Sequence, residues 1–194
     1  LMEELHDISL HARDFTWQIV IADNASSDKT WKLACALTTR FPMTVRAVRI
    51  PRKGRGRALK IAWTASQARV RAYMDVDLST DIRQIPELVG PIIDGRADVS
   101  FGSRLLPDSH VERCLKREFI SRCYNLMLQR YLHISFHDAQ CGFKAISADA
   151  ARTLLPQVED DEWFFDTELL VLAERMGIAS NEFAVNWRED PGTT

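Results

Sequence analysis

"AYMDVDLSTD", residues 72–81, sets an apolar run against three aspartates, Asp75, Asp77 and Asp81, in a chain whose formal net charge is only -2. The longer run "VRAYMDVD" (70–77) reads as a strand. Residues two apart in an extended strand point the same way, so Asp75 and Asp77 would present carboxylates on one side while Val76 turns into the core. Carboxylates this close resist joint ionisation unless a cation compensates. Hard oxygen ligands suit Mg2+ or Mn2+, ions that also bind substrate phosphates. The competing reading is helix capping, which applies most directly to Ser79 and Asp81.

Outward from this stretch, "WQIVIA" (17–22), "TVRAVRI" (44–50) and "ADVSFG" (97–102) are also β-rich. Helical patterns fall between them near 28–40, 57–68 and 82–93. Successive strand-helix units predict an α/β fold with a mostly parallel central sheet flanked by helices. Ligands of such sheets bind beyond the carboxyl ends of the strands, where "DNASSD" (23–28), "PRKGRG" (51–56) and "DVDLSTD" (75–81) collect. The second half reads as a helix over 111–132, then "DAQCGFKA" (138–145) with its Gly turn, a helix over 166–176 and a final strand "FAVNW" (183–187). The opening "LMEELHDISLHARDF" reads as a helix with Leu1, Leu5 and Ile8 at helical spacing, where a sheet of this kind normally opens with a strand. A strand supplied from upstream is therefore expected.

Composition bounds the function. With 194 residues, 46% hydrophobic and 27% charged, the chain fits one soluble domain. The near-neutral charge argues against bulk nucleic-acid binding, although "RKGRGR" reads either as a phosphate loop or as a solvated or nucleic-acid patch. Cys35, Cys114, Cys123 and Cys141 lack zinc or disulfide spacing and read as free thiols of a reducing compartment. No apolar run approaches the roughly 18 residues of a membrane span. Membrane contact would then be peripheral, or made by segments outside this chain.

In their order, "VIADNASSDKTW", "PRKGRGRALKIAW", "YMDVDLSTD", "GSRL", "DAQCGFKA" and "FFDTELL" resemble a family 2 glycosyltransferase of the GT-A fold. Within that family the resemblance is to the dolichyl- and polyprenyl-phosphate hexosyltransferases. It covers essentially the whole chain as a single domain, 1–194. The family's usual opening strand, with its Pro-x-Tyr-Asn-Glu signature, is not in the sequence.

The resemblance implies roles residue by residue. Asp23 would contact the nucleoside, with Asn24 where many members carry a second aspartate and Ala25 in place of a glycine. Gly54, Arg55 and Gly56 would form the loop beside the nucleotide. Asp75 and Asp77 would hold Mg2+ or Mn2+ on the diphosphate. Arg104, Arg117 and Arg122 would grip a lipid phosphate or the donor diphosphate. Asp166 and Glu168 match a second acidic motif near the acceptor, with Asp166 the base should the acceptor be a hydroxyl. Asp166, Arg117 and Arg122 are thus the candidate catalytic residues, and a helix cap is the other reading of Asp166. Asp138 and Gln140 would fix sugar hydroxyls or serve as turn chemistry. Read from the residues themselves, Trp163, Phe164 and Phe165 are core, with stacking on a hexose the other reading of Trp163, and His133 and His137 are structural or solvated.

The implied reaction is an inverting transfer of a hexose from a UDP-glucose or GDP-mannose type donor to a polyprenyl phosphate, at the cytoplasmic face of a membrane. A phosphomonoester, with a second pKa near ~6, is already largely ionised and needs cations rather than a base. The helix over 111–132 carries Arg113, Lys116, Arg117 and Arg122 beside Leu115, Ile120, Tyr124, Met127, Leu128 and Tyr131. It reads either as a basic, apolar segment resting on an anionic bilayer or as an amphipathic helix facing the core. A saccharide acceptor and a catalytically silent binding module stay open as alternatives, as does a homo-oligomer.

Overall fold

The computed structural model describes residues 16–112 and 114–189, and only the backbone of Leu115 and Arg117. The helix expected over 1–15, the strand expected ahead of it and Arg113 lie outside the described residues.

β1 (Ile19–Asn24) and β2 (Val45–Ile50) pair in parallel, joined by α1 (Thr30–Arg40). α2 (Arg55–Ala65) leads to β3 (Val70–Met74), and a 3-10 turn over 82–84 leads into α3 (Ile85–Ile93) and β4 (Val99–Ser103). Then come β5 (His110–Glu112), α4 (Leu115–Leu132), β6 (Phe143–Ser147), α5 (Ala148–Leu154), α6 (Phe165–Arg175), β7 (Ser180–Ala184) and β8 (Asn186–Arg188). A four-stranded sheet runs in the order β3-β6-β4-β7, and β5 pairs with β8.

Three regions differ from the sequence reading. β6, which the sequence reading leaves without a strand, is a central strand antiparallel to both β3 and β4, while β4 and β7 are parallel. The expected helix over 111–132 gives its first turn to β5, and the expected strand over 183–187 divides at Val185 between β7 and β8. β3 stops at Met74, and the chain turns immediately, with the Leu78 N–H donating to the Asp75 carbonyl at 3.2 Å and Leu78 in the left-handed region at φ 53. Val76 consequently stands 98% exposed instead of entering the core.

Alternate residues of β6 feed opposite faces of the sheet. Phe143 and Ala145 join Ile85, Leu88 and Ile92 of α3 on one face. Ile146 joins Val99, Phe101 and the buried side of α5 and α6, with Leu154, Phe165 and Leu169, on the other. Helices thus cover both faces. By the same alternation Lys144 points to the α6 side, where it is fully buried.

Candidate active site

The loop that follows β3 is tied down from its far end. The Asp81 N–H donates to the Asn186 carbonyl at 2.9 Å and the Arg188 N–H to the Ser79 carbonyl at 2.8 Å, so β8 fixes the segment carrying Asp75 and Asp77. Asp77 accepts the Ser79 N–H at 3.0 Å, and Asp81 caps the 3-10 turn through the Arg83 N–H at 3.0 Å. The capping expected of Asp81 is present.

Behind Asp75 lies a chain of buried charges. Arg55, the first residue of α2, places Nη2 2.9 Å from Asp75 Oδ1 and Nε 3.3 Å from Asp166 Oδ2. Lys144 Nζ is 3.0 Å from Asp166 Oδ1 and donates to the Cys141 carbonyl at 2.6 Å. The Tyr73 hydroxyl donates to Asp166 Oδ1 and lies 3.5 Å from Lys144 Nζ. Asp166 is therefore not a helix cap: Asp160 Oδ1 accepts the Phe165 N–H at 3.0 Å at the start of α6, and the Asp166 side chain faces the sheet instead.

Burial and the Asp166 charge push the Tyr73 phenol well above its ordinary value, which keeps it a neutral donor. Burial opposes the charge of Arg55, but Tyr73, Asp166 and Asp75 outweigh it and raise its pKa. Burial also lifts Asp75; Arg55 pulls it down, while Asp77 and Asp166 push it up further, and the net direction is upward. Burial, more than charge, thus sets the state of Asp75, which Arg55 offsets only in part. No three His, Cys, Asp or Glu side chains come together as a metal cage among the described residues. Two carboxylates completed by substrate phosphate and water are a donor set that fits Mg2+ or Mn2+.

The first two loops meet beside this cluster. Asn24 Oδ1 accepts the Gly54 N–H at 2.9 Å, locking the β1 loop to the β2 loop. Asp23 is buried, and its Oδ2 has no hydrogen-bond partner among the described residues, with Arg49 Nε 3.7 Å away. A buried carboxylate oxygen without a donor calls for a ligand N–H. Ala25 adopts φ 53, the angle that the glycine expected there would favour. Gly56 has no room for a side chain: a Cβ would come 2.6 Å from Phe165 Cβ. Its N–H donates to the Glu162 carbonyl at 3.1 Å, and Arg57 Nη2 and Lys60 Nζ grip Asp161 at 2.8 and 2.5 Å. Of the basic run, Arg52 and Lys53 are exposed, while Arg55 and Arg57 are engaged by carboxylates.

Arg104 and Arg122 line one cavity of about 320 Å³, with Leu105, Leu106, Val111 and Glu118 in its wall. Arg122 pairs with Glu118 on α4, and the Arg117 side chain lies outside the described residues. Arg104 is fixed by Asp138, its Nε 2.7 Å from Oδ2 and Nη2 2.9 Å from Oδ1, and the Asp75 charge also acts on it. Asp138 is fully buried and additionally accepts the Gln140 N–H at 3.1 Å, so its carboxylate orients Arg104 and is closed to the sugar contact expected of it. Burial raises the Asp138 pKa, but Arg104 more than reverses this and holds it below the ordinary value.

Glu168 likewise departs from expectation, accepting the N–H groups of Glu159 and Asp160 at 3.1 and 2.8 Å and so shaping the loop ahead of α6. Gln140 is exposed. Trp163, 68% exposed, lies 5.2 Å from the Arg55 guanidinium at the mouth of the site. Phe165 is core, but Phe164 is 45% exposed. Burial and Asp138 push the Cys141 thiol up to about 12, which removes it as a nucleophile. Sequence reasoning missed Tyr73 and Lys144; the signals were a tyrosine two residues before Asp75 and a lysine inside an apolar run.

The glycosyl transferase family 2 model matches residues 5–155. The glycosyltransferase AglD of Haloferax volcanii is 38% identical over 178 residues, 92% of this chain and 28% of that protein. The dolichyl-phosphate beta-glucosyltransferase of Dictyostelium discoideum is 29% identical over 187 residues, 92% of this chain and 57% of that protein. The chain thus spans well under two thirds of either relative. Glucosyl-3-phosphoglycerate synthase from Mycobacterium tuberculosis, solved with Mn2+, uridine-diphosphate-glucose and glycerol 3-phosphate, superposes with a TM-score of 0.64 at 21% identity, covering 97% of this chain and 68% of that one. That likeness establishes the expected GT-A fold. On the match across most of its length, the chain belongs to the glycosyl transferase family 2.

Proposed function

We propose that this domain transfers a hexose, glucose from UDP-glucose in the first instance, to a dolichyl or polyprenyl phosphate at the cytoplasmic surface of a membrane. The observation that carries the choice of acceptor is the state of Asp166. Its carboxylate is buried and taken up by Lys144, Tyr73 and Arg55, which leaves it poorly placed to accept a proton from a sugar hydroxyl. An ionised phosphate acceptor needs no base. It needs cations, and Arg104 and Arg122 supply them from a cavity whose wall is otherwise partly apolar.

Asp75 and Asp77 would hold a divalent ion, which when bound neutralises the charge that develops on the departing nucleoside diphosphate. Oδ2 of Asp23, without a hydrogen-bond donor among the described residues, would receive the base, and Asn24 with Gly54 would hold the two nucleotide loops together. Trp163 would cover one side of the donor. Arg104, held still by Asp138, would orient the acceptor phosphate so that its oxygen bonds to the anomeric carbon as the bond to the diphosphate breaks, with inversion. Cys141 is inaccessible, and a single displacement needs no covalent enzyme intermediate.

α4 supports the membrane placement. Its inner side contributes Tyr124, Asn125 and Leu128 to the fold, while Phe119, Ile120, Leu126, Met127 and Tyr131 are exposed. Such a side fits the boundary of a bilayer. Among the described residues no helix is long and apolar enough to cross one. The test is sugar transfer by the full-length protein to a short polyprenyl phosphate from a panel of UDP- and GDP-sugars, with and without Mn2+. Transfer from UDP-glucose that needs the metal and disappears in Asp77→Asn supports the reading; metal-independent transfer, or full activity of the variant, contradicts it.

A further inference from the structure

Arg55 joins carboxylates from two different elements, Asp75 after β3 and Asp166 on α6, at 2.9 and 3.3 Å. Its guanidinium also lies 5.4 Å from the Tyr73 ring and 5.2 Å from the Trp163 ring, so two aromatic faces flank the cation. Gly142 packs against the Asp75 carboxyl group from another direction. The carboxylate that would ligate a metal ion is therefore already paired with a protein cation.

We propose that Arg55 is a resident counter-ion that holds Asp75 until the donor arrives, so that the divalent ion enters with the nucleotide diphosphate and not ahead of it. This rests on the metal reading of Asp75 and Asp77. An ion approaching Asp75 in the donor-free protein meets the guanidinium and must displace it or share the carboxylate with it, and like charges at such distances repel strongly. A diphosphate changes the balance. It offers Arg55 a replacement anion suited to its fork of donors, and it brings phosphate oxygens that complete the coordination of the ion. The aromatic faces give the guanidinium a surface to slide along during the exchange. Asp166 stays neutralised throughout by Lys144, which is 3.0 Å away and does not depend on Arg55.

The test is a Mn2+ titration followed by electron paramagnetic resonance at pH 8, on the full-length protein and on Arg55→Gln and Arg55→Lys, each with and without UDP. Removing the cation is expected to tighten donor-free Mn2+ binding by about tenfold in Arg55→Gln and by about threefold in Arg55→Lys, whose ammonium is less well placed to span both carboxylates. UDP should enhance Mn2+ binding more in the wild type than in either variant. Thermal melts establish that each variant is folded, and Arg55→Lys alone suffices should Arg55→Gln not fold. Donor-free affinity that is unchanged or weaker in the folded variants overturns the inference. A wild type that takes up no Mn2+ even with UDP removes the metal reading of Asp75 and Asp77, and the inference with it.

Discussion

The Asp75 carboxylate rests on the bare Cα of Gly142: a Cβ there would stand 1.8 Å from Asp75 Oδ2, and the Gly142 carbonyl accepts the Asp75 N–H at 3.1 Å. Position 142 must be glycine for Asp75 to sit where it does. Gly142→Ala is expected to push the carboxylate aside and to lower sugar transfer by about a hundredfold or more, because a displacement of an ångström in a positioned group costs that order. The overpacking itself should cost roughly 1–3 kcal/mol, leaving a folded protein. A transfer assay paired with a thermal melt measures both, and near-normal transfer would refute the placement of Asp75.

Lys144 is fully buried on β6, with Asp166 at 3.0 Å. Lys144→Met fills the space but leaves the Asp166 carboxylate with less compensation, and losing one partner of a buried pair costs about 3–5 kcal/mol. Urea denaturation of the variant should show that loss. A change of under about 1 kcal/mol, the scale of a surface pair, would mean that the ion pair is far weaker than its burial implies.

These two residues mark where the sequence was and was not legible. The β-branched runs of β1 and β2, the apolar run ahead of Asp75 and the polar segments after them are local features, and the loops they mark do meet, through Asn24 with Gly54 and Arg55 with Asp75. β6 was hidden because a strand covered on both faces loses its polar alternation, and the lysine at its centre argues locally for exposure. Only the tertiary partner Asp166 makes that lysine acceptable. Val76 failed for the opposite reason: alternation was extended past Met74 into a turn. The roles of Asp138 and Glu168 depend on partners 34 residues away for one and on N–H groups 8 and 9 residues away for the other, which residue type alone does not disclose.

The raised pKa of Asp75 makes a prediction about pH. Burial, Asp77 and Asp166 outweigh Arg55, so the folded metal-free protein holds the Asp75 proton more tightly than the unfolded chain does. Its contribution to stability is then fully present below the ordinary value of 3.8 and is lost as pH rises through the raised folded value. Asp75→Asn, compared with wild type in the absence of metal, should become relatively more stable as pH climbs through that window. Chemical denaturation at a series of pH values tests this, and a stability difference that does not change across the window would contradict it.

Asp138 runs the other way. Arg104 holds its pKa below 3.8, so its contribution is present above that value and is lost as pH falls through the depressed folded one. Asp138→Asn keeps the shape but weakens the fork that orients Arg104. The expected outcome is a rise in KM for the lipid phosphate of about tenfold, in keeping with a lost charge-assisted contact, with KM for UDP-glucose changed much less. Equal effects on both substrates would argue against an acceptor role for Arg104.

The most direct measurement compares two acceptors that differ only in the phosphate: a short polyprenyl phosphate and the corresponding free alcohol, each with UDP-glucose and Mn2+. Glucose should pass to the phosphate and not detectably to the alcohol, since Arg104 and Arg122 offer cations while the Asp166 carboxylate is engaged by Lys144. Efficient transfer to the alcohol would contradict the account, because some group would then have to take its proton.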